Sequence, residues 1–179
     1  GSVKTRLQRI AELARERPEM VFTSLSHVMD IYFHEEAYTR TRKGGAVGVD
    51  GQTAEEYGAQ LRENLQSLLD RFKAGTYQAP PVRRAHIPKE GGKSRAIGIP
   101  TFEDKVLQRA VTMVLEAVYE QDFLSCSYGF RPGRNPHQCI EALRDAARKM
   151  AGGWVLEMDI RKYFDTIPRP RLLEILRQR

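Results

Sequence analysis

Val82-Arg83-Arg84-Ala85-His86-Ile87-Pro88-Lys89-Glu90-Gly91-Gly92-Lys93-Ser94-Arg95-Ala96-Ile97-Gly98-Ile99 is where the chain changes from helical to extended periodicity. Arg83, Ala85 and Ile87 alternate with Arg84 and His86; on the far side Arg95, Ile97 and Ile99 alternate with Ala96 and Gly98. Glu90-Gly91-Gly92 supplies turn residues between the two runs, so the stretch reads as a β-hairpin. Pro80-Pro81 forces an extended approach to it, and Pro100 ends it. The same stretch sets Arg83, Arg84, Lys89, Lys93 and Arg95 against the single acid Glu90, a footprint suited to phosphates. Lys89 at the tip and Arg95 on the return strand could grip a triphosphate, Lys as a point charge and Arg as a bidentate fork. A solvated hairpin whose edge lysines only block aggregation explains the composition equally well.

Working outward, the flanks are helical. Val3, Leu7, Ile10 and Ala14 line one face of a helix that Arg17-Pro18 interrupts, and a second helix is expected to carry Phe22, Leu25, Met29, Tyr32 and Phe33. Residues 43–51 are glycine-rich and read as a mobile loop, lacking the strand-before, helix-after setting of a dinucleotide site. Thr53 and Glu56 form a capping box ahead of one helix bearing Tyr57, Leu61, Leu65, Leu68 and Phe72, which Gly75 stops.

Beyond the hairpin, Thr101 caps a helix with Phe102, Val106, Ala110, Val111, Val114, Leu115 and Val118 as its expected core face. Asn135-Pro136 opens a helix carrying Ile140, Leu143, Ala147 and Met150, closed by Gly152-Gly153. Residues 154–160 read as a strand, with Trp154, Leu156, Met158 and Ile160 on one face. A last helix is expected to begin near Pro170 and to run to the end of the chain. The fold class is therefore α+β, helices packed around a small antiparallel sheet.

Length and composition bound the rest. A chain of 179 residues suggests one domain or one and a fraction, and 41% hydrophobic content suits a globular core. The net charge of +6 is modest; its clustering matters more. No stretch approaches the ~18 apolar residues of a membrane span, and no signal-peptide core is present, so no membrane partner is expected. The opening Gly1-Ser2 reads as a cloning remnant. Cys126 and Cys139 do not make a disulfide scaffold, which points to a reduced, cytoplasmic setting. Neither cysteine has zinc-ligand spacing with His137, and His27 and His34 have no further ligands, so zinc is set aside.

Two further places could carry chemistry. Asp159 stands near the end of an apolar strand, with the Ile160 carbonyl beside it as a further oxygen ligand. Nucleotidyl transfer uses carboxylates held on rigid strands to seat two Mg²⁺ ions. From spacing alone, a carboxylate capping the following turn is the favoured alternative, and Asp165 reads the same way. The run Ser127-Tyr128-Gly129-Phe130-Arg131-Pro132-Gly133-Arg134 combines arginines, aromatic rings and glycines, which suits phosphate contact with base stacking; an ordinary long loop is the alternative.

Four segments together resemble the group II intron-encoded reverse transcriptases, the bacterial maturase family. They are Gly48-Val49-Asp50-Gly51-Gln52-Thr53; Ile87-Pro88-Lys89 through Arg95 to Gly98-Ile99-Pro100-Thr101; Ser127 through Arg134; and Asp159-Ile160-Arg161-Lys162-Tyr163-Phe164-Asp165-Thr166-Ile167. Their order and spacing match the family from about residue 40 onward. The resemblance implies fingers at 37–152 after an N-terminal helical extension at 1–36 that helps bind intron RNA, with the start of the palm at 153–179.

It further implies that Asp159, with the Ile160 carbonyl, is the first metal-binding aspartate, and that Lys89 and Arg95 clasp the incoming dNTP beneath the hairpin. Phe164 falls at the ribose-discriminating position. Gly129, Phe130, Arg131, Pro132, Gly133 and Arg134, together with the glycine loop near Gly48, would lie against template RNA, alongside the basic pair Arg83 and Arg84. The implied activity is RNA-directed DNA synthesis with Mg²⁺, dNTP, an RNA template, intron RNA and a DNA primer or target. The family's second carboxylate box, Tyr-x-Asp-Asp or Phe-x-Asp-Asp, does not occur in these 179 residues, so the chain alone is expected to be catalytically incomplete. A non-catalytic RNA-binding module is the alternative from another class, and a CRISPR-associated or retron-like reverse transcriptase is a third reading. An unpaired strand edge leaves homo-oligomer formation open.

Overall fold

A computed structural model describes residues 1–88, 90–92, 94–150 and 152–179. In chain order it contains α1 (Val3–Glu16), α2 (Ile31–Arg40), α3 (Ala54–Ala59), α4 (Leu61–Lys73), β1 (Arg83–Pro88), β2 (Ser94–Ile99), α5 (Phe102–Tyr119), α6 (Pro136–Lys149), α7 (Tyr163–Thr166) and α8 (Arg169–Leu176). The class is α+β: helices with a two-stranded antiparallel sheet. Two compact units emerge, one from residues 1–10 and 23–117, the other from 11–22 and 118–179. Among the described residues no helix is long and apolar enough to cross a membrane.

The first unit holds most of the buried apolar side chains. Its α2 begins later than the expected second helix. Ser26–Val28 forms a single tight turn, and Asp30 then caps α2 by accepting from Phe33 N at 2.9 Å. Phe22 and Leu25 therefore lie outside the helix, while Phe33, His34 and Ala37 are fully buried. A carboxylate at the N-cap outcompetes continuation of the helix upstream, because it satisfies a backbone N–H that would otherwise be orphaned.

The Thr53–Glu56 capping box forms as read. The stripe that follows is split into two helices, since Gln60 leaves helical geometry at φ −122°, ψ 40°. Gly58 lies just before this break. A Cβ there would stand 2.7 Å from the Tyr38 hydroxyl, so any larger residue would make the Tyr38 side chain shift. Asn64 Nδ2 donates to the Tyr57 carbonyl at 2.8 Å across the break. Leu65, Leu68 and Leu69 are buried, and α4 ends in a Schellman motif: Gly75 N donates to Phe72 O at 3.1 Å and Thr76 N to Arg71 O at 3.0 Å. Gly75 takes the left-handed conformation this needs, at φ 66°.

The hairpin register is the one the alternation demands: Arg83 opposite Ile99, Ala85 opposite Ile97 and Ile87 opposite Arg95. Gly91 and Gly92 make the turn at φ 75° and 71°. Thr101 Oγ1 accepts from Asp104 N at 3.3 Å to start α5. The buried face of α5 is Phe102, Val106, Leu107, Ala110, Met113, Val114 and Val118. Val111 and Leu115, expected in the core, are each 36% exposed, because each stands about 100° around the helix from its buried predecessor.

The glycine run at 43–51 is pinned rather than mobile. A Cβ on Gly48 would come within 2.6 Å of Thr101 Cα, so the backbone packs directly on the start of α5. Arg83 Nε donates to Val47 O at 2.8 Å and Lys105 Nζ to Ala46 O at 2.7 Å, tying the loop to both the hairpin and α5.

The second unit is differently built. Asn135 and Pro136 start α6 as read, with Gln138 completing a capping box, but Ile140, Leu143 and Met150 are 62%, 57% and 63% exposed. Residues 154–160 do not form the expected strand. A ladder needs hydrogen-bonded neighbours, and among the described residues none pairs with this segment; Trp154 is 99% exposed. The last helix closes at Leu176, where Arg177 N donates to Leu173 O at 3.1 Å, rather than running on.

Candidate nucleotide and nucleic-acid site

In the first unit the candidate residues sit on the hairpin. Alternation across the pleat puts Arg83 and Arg95 on one face with Ala85, Ile87, Ile97 and Ile99. Arg84 is on the other face, opposite Gly98. Arg95 is exposed and, among the described residues, has no hydrogen-bond or ion-pair partner. Arg83 spends its Nε on the Val47 carbonyl and braces the hairpin base. Lys89 and the neighbouring Lys93 lie outside the described residues.

A cleft that the sequence reading missed lies nearby in the same unit. It has a volume of ≈ 340 Å³ and is lined by Thr41, Arg42, Gly45, Lys105, Gln108, Arg109 and Thr112. The α5 contributors Lys105, Gln108, Arg109 and Thr112 recur at helical spacing on one stripe, a signal present in the sequence beside the apolar stripe. Arg42 reaches the cleft only through the tertiary fold. Its neighbour Lys43 is otherwise engaged: it donates to the carbonyls of Tyr38 and Thr41, lies 4.0 Å from the Tyr38 ring centroid, and burial lowers its pKa. Arg42 and Arg109 make no ion pair among the described residues, leaving a positively charged cavity that suits phosphate oxygens.

In the second unit, Asp159 and Ile160 are exposed on the irregular segment before α7. Lys162 takes a left-handed conformation at φ 53° and turns the chain into α7, where Asp165 N donates to Lys162 O at 3.0 Å. Phe164, in the first turn, is 76% exposed and meets Tyr163 edge-on with centroids 5.3 Å apart.

The donors at 159–160 are hard oxygens, the type Mg²⁺ takes, and Mg²⁺ commonly binds through one or two carboxylates plus substrate phosphates. Among the described residues no group of three or more His, Cys, Asp or Glu could hold a metal ion. The oxygens at 159–160 are thus of the type Mg²⁺ takes, and by themselves they do not complete a metal shell.

The 127–134 loop sorts its residues sharply. Arg131 is drawn into the protein, with 6% of its side chain exposed, and pairs with Glu120 at 2.7 Å. This hydrogen bonding raises its pKa still further. Phe130 is fully exposed, Gly133 turns the chain at φ 71°, and the Arg134 guanidinium lies 5.4 Å from the Tyr128 ring centroid. Gly129 and Pro132 are exposed beside them.

Comparison with known proteins bears on these placements. The family described as reverse transcriptase (RNA-dependent DNA polymerase) matches residues 87–179. Protein YkfC of Escherichia coli (strain K12) is 41% identical over 135 residues, 74% of this chain and 35% of that protein. The group II intron-encoded protein LtrA of Lactococcus lactis subsp. cremoris is 36% identical over 176 residues, 95% of this chain and 28% of that protein. The putative COX1/OXI3 intron 2 protein of Saccharomyces cerevisiae is 32% identical over 116 residues, 64% of this chain and 13% of that protein. The chain therefore spans 35% or less of the length of these relatives. With the tip and return strand of the hairpin, the arginine loop and the Asp159 segment inside residues 87–179, the chain belongs to the group II intron-encoded reverse transcriptase family.

Proposed function

We propose that this chain is the nucleotide- and template-handling part of an RNA-directed DNA polymerase encoded by a group II intron. Residues 37–152 act as its fingers and 153–179 as the start of its palm, with the helical extension at 1–36 helping to hold intron RNA. The observation that carries this reading is Arg95: exposed, without a hydrogen-bond or ion-pair partner among the described residues, and on the hairpin face set by the Ile87–Arg95 register. A planar fork held on a paired strand is pre-organised for a triphosphate, so less side-chain freedom is lost on binding.

In this reading Arg95 and Lys89 clasp the triphosphate. Asp159 and the Ile160 carbonyl contribute oxygen ligands to Mg²⁺, which when bound lowers the pKa of the primer 3′-hydroxyl and neutralises charge on the leaving pyrophosphate. The Phe164 ring crowds a 2′-hydroxyl and favours deoxynucleotides. Template RNA runs along Arg83, Arg84 and the Gly129–Arg134 loop. One carboxylate does not seat two Mg²⁺ ions with useful affinity, so the 179-residue chain binds without polymerising.

The test is primer extension by the longer protein carrying Arg95→Ala. The nucleotide KM is expected to rise at least tenfold, the scale of one lost charge-assisted contact, with RNA affinity retained. Unchanged nucleotide kinetics would remove the clasp. A second reading, an RNA-binding module with no part in polymerisation, is favoured by the cationic cleft around Arg42, Lys105 and Arg109. That reading instead requires the longer protein to bind RNA yet fail to extend any primer.

A further inference from the structure

The loop at 127–134 contains two arginines, and the structure separates them. Arg131 directs its donors inward: Nε to both Glu120 carboxylate oxygens at 3.1 and 3.2 Å, one terminal nitrogen to Glu120 at 2.7 Å, and the other to the carbonyls of Leu124 and Ser127 at 2.8 and 2.7 Å. Its guanidinium also lies 5.0 Å from the Phe123 ring centroid. Little donor capacity is left for an RNA phosphate. This one side chain instead gathers residues 120, 123, 124 and 127 around itself.

The residue next to it is the anomaly. Phe130 has φ 55°, a left-handed conformation that a bulky side chain rarely adopts, and its ring is 104% exposed. Two unfavourable features coincide, a strained backbone and a fully hydrated aromatic ring. Such strain persists only when the surroundings over-determine it, and it gathers at functional positions. The hydrogen bonds of Arg131 are that over-determination, one peptide bond away. Beside the ring is a cavity of ≈ 470 Å³ with mostly apolar walls, formed by Tyr128, Gly129, Phe130, Arg134, Pro136 and Ile140 among others. Arg134, stacked at Tyr128, supplies a positive charge to this otherwise apolar surface.

We infer that Arg131 is a positioning residue rather than a phosphate ligand, and that its role is to hold Phe130 out as a stacking platform for an unpaired base of RNA. The choice of occupant follows from the chemistry of the patch. Exposed aromatic rings with a neighbouring guanidinium stack unpaired bases, whereas the bases of a duplex are already stacked on one another. The inference rests on the proposed RNA-handling function and redraws the roles within its loop.

The test uses this 179-residue chain and a fluorescently labelled single-stranded RNA, with affinity measured by anisotropy across a salt series. Phe130→Ala is expected to weaken binding roughly tenfold, the scale of one lost base–aromatic contact, with the slope of log affinity against log salt unchanged. Phe130→Trp is expected to restore affinity. Arg131→Lys is the decisive variant. A phosphate ligand would tolerate lysine as a point charge, whereas a positioning fork would not, so Arg131→Lys should bind as weakly as Phe130→Ala at the wild-type slope.

Glu120→Ala, which removes both oxygens that accept from the Arg131 fork, should weaken binding in the same sense. Thermal melting of each variant checks that it is folded. The inference is overturned if Phe130→Ala is silent, or if Arg131→Ala lowers the slope by about 0.7, the value for one phosphate contact on a single strand. If the unaltered chain binds no RNA, the proposed function fails along with it. If it binds RNA and Phe130→Ala is silent, only this inference fails.

Discussion

The hairpin at 83–99 and the segment at 154–160 carry similar sequence signals, alternating apolar residues bounded by glycine or proline, yet only the hairpin is a sheet. The hairpin brings its own partner: its two runs are joined by Gly91-Gly92, and each strand satisfies the other's backbone groups. The 154–160 segment has the β-branched and aromatic residues of a strand but no described neighbour to pair with, and its apolar side chains remain hydrated. Strand propensity describes fitness for a pleated, half-buried surface and cannot supply that surface. The same contrast separates α4, with Leu65 and Leu68 wholly buried, from α6, whose Ile140 and Leu143 are exposed.

This contrast predicts unequal responses to the same substitution. Leu68→Ala should cost about 2–5 kcal/mol in urea unfolding, through lost burial and a residual cavity. Leu143→Ala should stay within about 0.5 kcal/mol, since its side chain is 57% exposed. Equal losses at the two positions would mean that α6 is packed after all.

Glycine substitutions probe the same divide more gently. Gly48→Ala places a Cβ 2.6 Å from the Thr101 backbone, where nothing flexible can give way. A loss of about 1–3 kcal/mol is expected, typical of overpacking. Gly129→Ala meets nothing within 4 Å and should be close to neutral, and thermal melts of the pair would distinguish a pinned loop from an open one.

The smallest effect expected is a dependence on pH. His34 is buried, its Nδ1 lies 2.9 Å from the Asp30 carbonyl, and its Nε2 has no described partner. Burial lowers its pKa below the ordinary 6.5, opposed in part by Asp30 and reinforced by Lys73. The unfolded chain therefore takes up a proton that the folded chain refuses. Stability is fully present above pH ~6.5 and declines as pH falls toward the depressed folded pKa, by at most ~1.4 kcal/mol per pH unit for one proton. Denaturant midpoints measured from pH 7.5 down to 5 should show this slope, and His34→Leu should flatten it. A slope that survives the substitution would assign the acid sensitivity to another group.

Much of the local structure was readable from the residues. Thr53 with Glu56, Asn135 with Pro136, and Thr101 each begin a helix where their side chains predicted, because a cap bonds to a backbone N–H only three residues away. The late start of α2 and the break at Gln60 were not readable. The first depends on the Asp30 side chain accepting from Phe33 N, and the second accompanies Tyr38 of another helix crowding Gly58. At the candidate site, the cation-rich hairpin and loop stood out in the sequence, but the status of each cation did not.

From its residues alone this chain specified its hairpin, the starts of three helices at Thr53, Thr101 and Asn135 and, through four motifs in order, its family, since each of these depends on side chains close together along the backbone. The tertiary structure decided which charges remain available to a ligand. Arg131 is spent on Glu120, eleven positions earlier, and Arg83 engages the Val47 carbonyl through Nε, while Arg95 has no partner among the described residues and Arg42 joins Lys105 and Arg109 at a cleft. A guanidinium binds whichever oxygens the fold brings within about 3 Å, and distance along the chain does not determine which those are.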